Sequence, residues 1–273
     1  ETSALSIALS DVPLFFGGAE LFVLAGGNDR LPTAMARRLR RDVEYGMEVR
    51  EISSDGGGVR VRGLRSSADR PFEMTADRVI VTVPAPVLRD IRLDPELPAD
   101  QAEAVANLPY RDVVRAQFQV QRRFWEDEDV TGAASTDLFD GRVDRQPYDE
   151  PAEPDGRAVL EAFMEGGTAG ELSGRPNAEI LEAALEHLEQ VHPRIREFVE
   201  GGAAKSWSAD PYARAAWSWP APGHVTSYLP ALRRPVGRIH FAGEHTSAAR
   251  GTMEGALRSG VRAAREVYEA AGT

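Results

Sequence analysis

Ile239-His-Phe-Ala-Gly-Glu-His-Thr-Ser247, followed by Gly251-Thr-Met-Glu-Gly-Ala-Leu-Arg-Ser-Gly260, is the stretch that decides the fold. Residues 238–242 read as a short buried strand, because Ile239, Phe241 and Ala242 pack without needing polar partners. Gly243 ends the strand where a side chain would obstruct a close approach. From Glu254 onward, Ala256, Leu257, Gly260, Val261, Ala264, Val267 and Tyr268 recur at steps of three and four, which predicts an amphipathic helix. Strand, glycine turn, short loop and helix together aim backbone N–H groups and a helix N-terminus at something electron-rich.

Composition narrows the classes. The 273 residues suffice for one large domain or two small ones with a substantial core. A net charge of −11, from 32 Lys+Arg against 43 Asp+Glu, argues against nucleic acid as a partner and offers no basic stripe to an anionic membrane. The absence of cysteine excludes disulfides, thiolate metal sites and a cysteinyl link to a cofactor. No apolar run reaches the roughly 18–20 residues that span a bilayer, and no basic-then-apolar leader opens the chain, so a cytoplasmic location is expected.

Outward from the decisive stretch, Gly26-Gly-Asn-Asp-Arg-Leu-Pro-Thr-Ala-Met-Ala36 predicts a glycine turn and then a helix. Asn28 or Asp29 would cap it, Pro32 suits its first turn, and Met35, Ala36 and Leu39 would form its apolar stripe. Strands are expected at 43–45, 47–53, 59–64 and 76–84, with a hairpin turn at Asp55-Gly-Gly-Gly58. Further strands are expected at 112–121 and 159–164, and helices at 98–108 and 177–190, the latter with Ile180, Leu181, Ala184, Leu185 and Leu188 on one face. Leu14, Phe15, Phe16, Leu21, Phe22 and Leu24 are expected core contacts, and residues 126–157 are expected to be strands with exposed loops.

Both motifs resemble those of the flavin-containing amine oxidase superfamily, which includes monoamine, polyamine and L-amino-acid oxidases. Phe241-Ala-Gly-Glu-His-Thr-Ser with Met253-Glu-Gly-Ala-Leu-Arg-Ser-Gly is similar to its C-terminal FAD-binding signature. Gly26-Gly-x-Asp-Arg-Leu-Pro is similar to the segment that lies beside the isoalloxazine in L-amino-acid-oxidase-like proteins. The resemblance implies an α/β, FAD-binding two-domain fold, with α+β character in the substrate domain and incomplete in this chain. Residues 1–83 and 201–273 would belong to the FAD-binding domain and 84–200 to the substrate domain.

It also implies site residues. Gly26, Gly27, Arg30, Leu31, Val49 (through its backbone), Gly243, Glu244, Thr252, Met253, Glu254 and Ala256 would contact FAD, and Trp217 would form one wall of an aromatic cage. Two positions depart from the superfamily. Thr252 stands where the second aromatic wall is usual. Arg115 stands where a lysine reaches the flavin through a water, and its planar fork suits a carboxylate, of a substrate or of a neighbouring strand. Arg115, Trp217 and Thr252 are therefore the candidate catalytic positions.

The superfamily opens with a strand and a GxGxxG turn, and no such turn occurs in these residues. That implies a second chain or fragment carrying it, and an oligomer. The activity implied is FAD-dependent oxidation of a small-molecule amine or amino acid to an imine with O2 as acceptor. The alternatives are an FAD-dependent dehydrogenase or desaturase of a larger metabolite, favoured by Thr252 and Arg115, and a non-catalytic partner subunit of a flavoprotein. No metal site is expected: His187 and His192 fall off a shared helical face.

Overall fold

The computed structural model describes residues 3–6, 24–66, 69–126, 143–144, 156–190 and 192–272. They form a mixed α/β structure in two compact units, residues 1–110 with 217–273 and residues 111–216. The expected residues 14–16 and 21–22, and nearly all of 126–157, lie outside the described residues.

In the first unit, β1 (Met47–Ser54), β2 (Val59–Arg65) and β3 (Arg70–Ala76) form an antiparallel meander, and β5 (Arg92–Asp94) adds in parallel to β1. The β1–β2 turn closes where Asp55 Oδ1 accepts the Gly57 N–H at 3.0 Å, a bond that holds the carboxyl below the usual aspartate range. Gly63 has no room for a side chain, since a Cβ there would sit 1.9 Å from the Glu48 carbonyl oxygen. The second sheet is a parallel pair, β4 (Val79–Val81) with β10 (Ile239–Phe241). Both are unbroken apolar runs or nearly so; β10 is buried throughout, whereas Ile80 at the centre of β4 is exposed. Helices α2 (Ala85–Leu88), α3 (Ala99–Asn107) and α6 (His224–Arg233) share a core with them through Leu88, Val105, Leu108, Leu232 and Phe241.

The second unit is an antiparallel sheet in the order β7 (Val143–Asp144), β8 (Ala158–Glu165), β6 (Val113–Val120), β9 (Val199–Ser206). Side-chain alternation places Val114, Ala116, Phe118 and Val120 of β6 on one face with Leu160, Ala162 and Met164 of β8. Against that face lie α4 (Gly166–Leu172) and α5 (Asn177–Glu189), the latter through Ile180, Ala184 and Leu188 at steps of four. A Cβ at Gly202 would lie 3.0 Å from both Leu181 and Phe118, so glycine there lets α5 close on the sheet.

The structure departs from expectation at several points. Residues 84–110 belong to the first unit, because α2 and α3 pack into its core, and 201–216 belong to the second, because β9 pairs along β6. The dividing lines therefore fall at 110/111 and 216/217, not at 83/84 and 200/201. Residues 43–45 are not a strand, since pairing to β2 begins only at Met47. The 76–84 strand is confined to β4, and Pro84 stands at the N-cap of α2. Leu24, an expected core contact, is exposed, and of the expected stripe Met35, Ala36 and Leu39 only Ala36 is half-buried while the other two are exposed. No described helix is long and apolar enough to cross a membrane.

Phe118 is fully enclosed in the second unit. Phe118→Ala is expected to lower stability by about 3–5 kcal/mol, read as a reduced urea midpoint.

Candidate flavin-binding site

The stretch that opened the sequence builds a rigid corner in the first unit. Strand β10 runs into Gly243, whose φ of 126° lies outside the range a side chain tolerates. A Cβ there would also meet the His245 imidazole at 2.5 Å. The close approach that demands glycine is thus made by His245, two residues on. The Gly243 N–H is bound at 2.8 Å by Ser259 Oγ, which donates to the Ala256 carbonyl.

Glu244 is the organising side chain. One carboxylate oxygen accepts the Ser218 N–H at 2.9 Å; the other accepts the Ser218 hydroxyl at 2.9 Å and the Gly251 N–H at 2.7 Å. Charge-assisted bonds of this kind are the stronger class. They draw the 217–218 segment and the 247–252 loop to the β10 corner. Trp217 consequently lies over the Gly251 turn, where a Cβ would sit 3.1 Å from its indole ring.

Helix α7 (Met253–Ala271) starts at this loop. Thr252 is its N-cap: Oγ1 accepts the Gly255 N–H at 2.9 Å and donates to the Ala249 carbonyl at 2.7 Å. The Thr252 hydroxyl proton is therefore committed to the loop, and its place in a substrate wall is taken only by a methyl group. Gly255 is obligatory, since a Cβ would lie 1.9 Å from the Ala249 oxygen. Arg262 ties the helix back, donating to the Phe241 carbonyl at 2.6 Å and pairing with Glu266 at 2.6 Å. The N–H groups of Glu244, Met253 and Glu254 stand at starts of helical turns and have no hydrogen-bond partner among the described residues. The Met253 and Glu254 donors, at the positive end of a 19-residue helix, fit an electron-rich group.

His245 is buried, and burial lowers its pKa, opposed by the Glu244 charge and assisted by Arg262. Burial also raises the Tyr110 phenol, with Glu244 adding to it; its oxygen accepts the Ala85 N–H at 3.1 Å.

The remaining expected residues stand apart. Gly26 and Gly27 take φ of 81° and 103°, and the Arg30 guanidinium lies where a Gly26 Cβ would be. Asp29 occupies the N-cap of α1 (Arg30–Ala36) without a side-chain bond, because its backbone is already helical at φ −65° and ψ −17°. Asn28 instead accepts the Leu24 N–H across the turn. Leu31 is half-buried in α1. Val49 pairs with Gly63 just before a bulge, and β5 pairs with β1 only from Glu51, so the other backbone edge at Val49 is open among the described residues. No hydrogen bond or ion pair joins residues 26–31 or Val49 to the 243–256 corner among the described residues. Ala256 is exposed on the first turn of α7, near Met253 and Glu254.

Arg115 is in the second unit, on the sheet face opposite the core. Its fork is occupied: Nε and one terminal nitrogen bind the two Glu161 oxygens at 2.8 and 2.7 Å, and Gln117 adds a third bond at 2.7 Å. Glu161 is buried, and β6 is an interior strand, so the carboxylate that Arg115 suits is a neighbour's and the bridge is not at an edge. Ser218 and Arg262 escaped the sequence reading, and Gly251, Gly255 and Ser259 entered it only as members of the signature, with no role of their own. The Gly255 to Ser259 spacing was a usable sign of close helix packing; nothing in the sequence linked Ser218 to Glu244.

Residues 1–268 match the family described as flavin containing amine oxidoreductase. The chain belongs to that family. It is 30% identical over 251 residues to the L-amino-acid oxidases of Demansia vestigiata and Echis ocellatus, covering 90% of this chain and 48% and 49% of theirs. Cyclohexylamine oxidase from Brevibacterium oxydans superposes with a TM-score of 0.71 at 22% identity, over 91% of this chain and 54% of that one. A putrescine oxidase variant superposes with a TM-score of 0.72 at 25% identity, over 89% and 53%. The chain thus spans about half the length of the relatives it matches. Membership implies a flavin.

Thr252→Val is expected to cost about 1 kcal/mol through loss of the cap, seen as a lower urea midpoint. A second expectation concerns pH. A histidine whose folded pKa is depressed contributes stability in full above its unfolded value near 6.5; that contribution falls as pH drops toward the folded pKa. The urea midpoint should therefore decline below about pH 6.5, and His245→Leu should flatten that part of the curve.

Proposed function

We propose that this chain supplies the flavin-facing part of an FAD-dependent oxidase of amines or amino acids, working with a dinucleotide-binding segment or subunit. The observation that carries the reading is the set of unengaged N–H groups at Glu244, Met253 and Glu254, held by the Glu244 clamp and the Thr252 cap. A bound flavin would supply an acceptor for the hydride equivalent that leaves the carbon bearing nitrogen. The substrate also loses the proton on nitrogen, leaving an imine, and O2 takes up two electrons and two protons to give hydrogen peroxide.

The chain's own residues position and polarise. Backbone groups of Gly243, Glu244, Thr252, Met253, Glu254 and Ala256 would hold the cofactor, and the α7 N-terminus would stabilise negative charge on its reduced form. Gly26, Gly27, Arg30, Leu31 and the Val49 backbone are assigned to the same cofactor by their resemblance to family positions. Trp217 offers an indole face beside the Gly251 turn as one wall for the substrate.

A specific observation favours a second reading, an FAD-dependent dehydrogenase or desaturase. Arg115 spends its fork on Glu161 and cannot act as a base, and Thr252 supplies no aromatic face. The test is the absorption spectrum of the protein purified from its native source without trimming, followed by an amine and amino-acid panel. A flavin spectrum with peroxide formed in air is expected. Bleaching by substrate without peroxide would support the dehydrogenase. A colourless preparation that takes up no FAD would overturn both and leave the non-catalytic subunit.

A further inference from the structure

Helix α6 opens with a donor that its own cap leaves unanswered. The N-cap is Gly223, at φ 86°, which has no side chain to offer an oxygen. The His224 N–H reaches the Ala221 carbonyl, and those of Thr226 and Ser227 reach the Gly223 carbonyl. The Val225 N–H engages no acceptor among the described residues. Val225 lines a cavity of about 20 Å³ in the first unit. About 10–15 Å³ admits one water-sized occupant, so the cavity has room for one such group and none for a tetrahedral oxyanion.

His245 lines the same cavity from the turn after β10. It is 8% exposed, and its imidazole makes no hydrogen bond among the described residues. Burial lowers its pKa and so holds the ring neutral, with one N–H to donate. A buried polar group of this kind requires a partner, and none of the described residues provides it. The rest of the polar lining is richer in donors than in acceptors. Arg250 is buried and carries a guanidinium, which can only donate; it binds Ser6 Oγ and lies 4.3 Å from the centre of the Trp219 ring. Ser247 Oγ accepts the Ala249 N–H at 3.2 Å, which leaves its own proton to give. Only the Ser218 hydroxyl has its proton committed, to Glu244. No lining residue is acidic. Glu244, beside His245 in sequence, turns its oxygens to Ser218 and Gly251.

We propose that this cavity binds one monovalent anion of halide size, held by the Val225 N–H at the positive end of α6, the His245 N–H, the Ser247 hydroxyl and the Arg250 charge. A water molecule would bring two protons into a lining short of acceptors, whereas an anion accepts from every donor. The net charge of −11 opposes anions at long range. Salt at ~0.1 M screens that repulsion beyond about 10 Å, so the buried donors decide. The occupant joins the start of α6 to the 247–251 loop and stiffens the segment that ends in the Thr252 cap. All lining residues belong to the first unit, and the site needs no bound flavin.

The test uses the protein as produced in its native source, with bromide as the probe. The urea midpoint is followed as bromide replaces gluconate at constant ionic strength, gluconate being too large to enter. An anion that binds the folded state alone raises the midpoint with the logarithm of its concentration once the site fills. Ala248 lies on the cavity wall, and Ala248→Leu is expected to weaken the apparent bromide affinity at least tenfold by filling the space. Crystals grown in bromide should show its anomalous signal in the cavity, which keeps the test decisive if Ala248→Leu misfolds. A cavity that holds only water under bromide, or holds nothing, would overturn the inference. So would a midpoint that bromide leaves flat or lowers, or a full bromide response in folded Ala248→Leu protein. Flavin absorbance is read on the same samples: bromide bound in a colourless protein sinks the FAD reading alone, and a yellow protein without bromide sinks the anion site alone.

Discussion

The corner after β10 depends on one carboxylate. Glu244 accepts three hydrogen bonds from two segments far apart in sequence, and it is the anchor that the 217–218 segment and the 247–252 loop share. Two of the donors are backbone N–H groups, that of Ser218 in a partly buried place and that of Gly251 exposed. Satisfaction by a charged acceptor is worth more than a neutral bond, and leaving the Ser218 N–H bare would cost about 1–3 kcal/mol. The clamp thus sets where Gly251 sits, hence where Thr252 caps α7, and hence where the free end of the helix points.

The same corner shows how acceptors and donors are divided between structure and ligand. Side-chain oxygens of Glu244, Thr252 and Ser259 are spent on the protein itself, each closing a turn or a loop. What remains open is backbone N–H, at positions that geometry cannot satisfy from within. A group bound there is held by donors that need no reorganisation. The side chains that the motif highlights are therefore scaffold.

The two departures from family pattern are resolved differently by their surroundings. Thr252 replaces an aromatic face with a helix cap, so the change pays back locally in loop order. Arg115 brings a charge onto the free face of the second sheet, and the fold answers it with Glu161 from the next strand and Gln117 from its own. Burying a carboxylate requires such a partner, because an uncompensated charge in that place is strongly unfavourable. The pair is thus a closed unit that presents little net charge.

By itself the sequence determined the elements whose cause is local: β10 and α7, the hairpin turn at Asp55, the α5 stripe and the alternation of β6. Periodicity and turn chemistry act within a few residues, so they are legible in one dimension. It also marked Gly243 as a position that rejects a side chain, though not that His245 is what comes close. Only the tertiary structure decided that 84–110 joins the first core, that Ser218 answers Glu244, that Arg115 is consumed by Glu161, and that the apolar face of α7 points away from the unit. Each of these depends on which distant segment arrives at a given surface. Hydrophobic spacing states that a face requires cover, but the direction that face takes was set by Gly255, Ser259 and Ala263, whose small size let the other side of the helix approach β10 most closely.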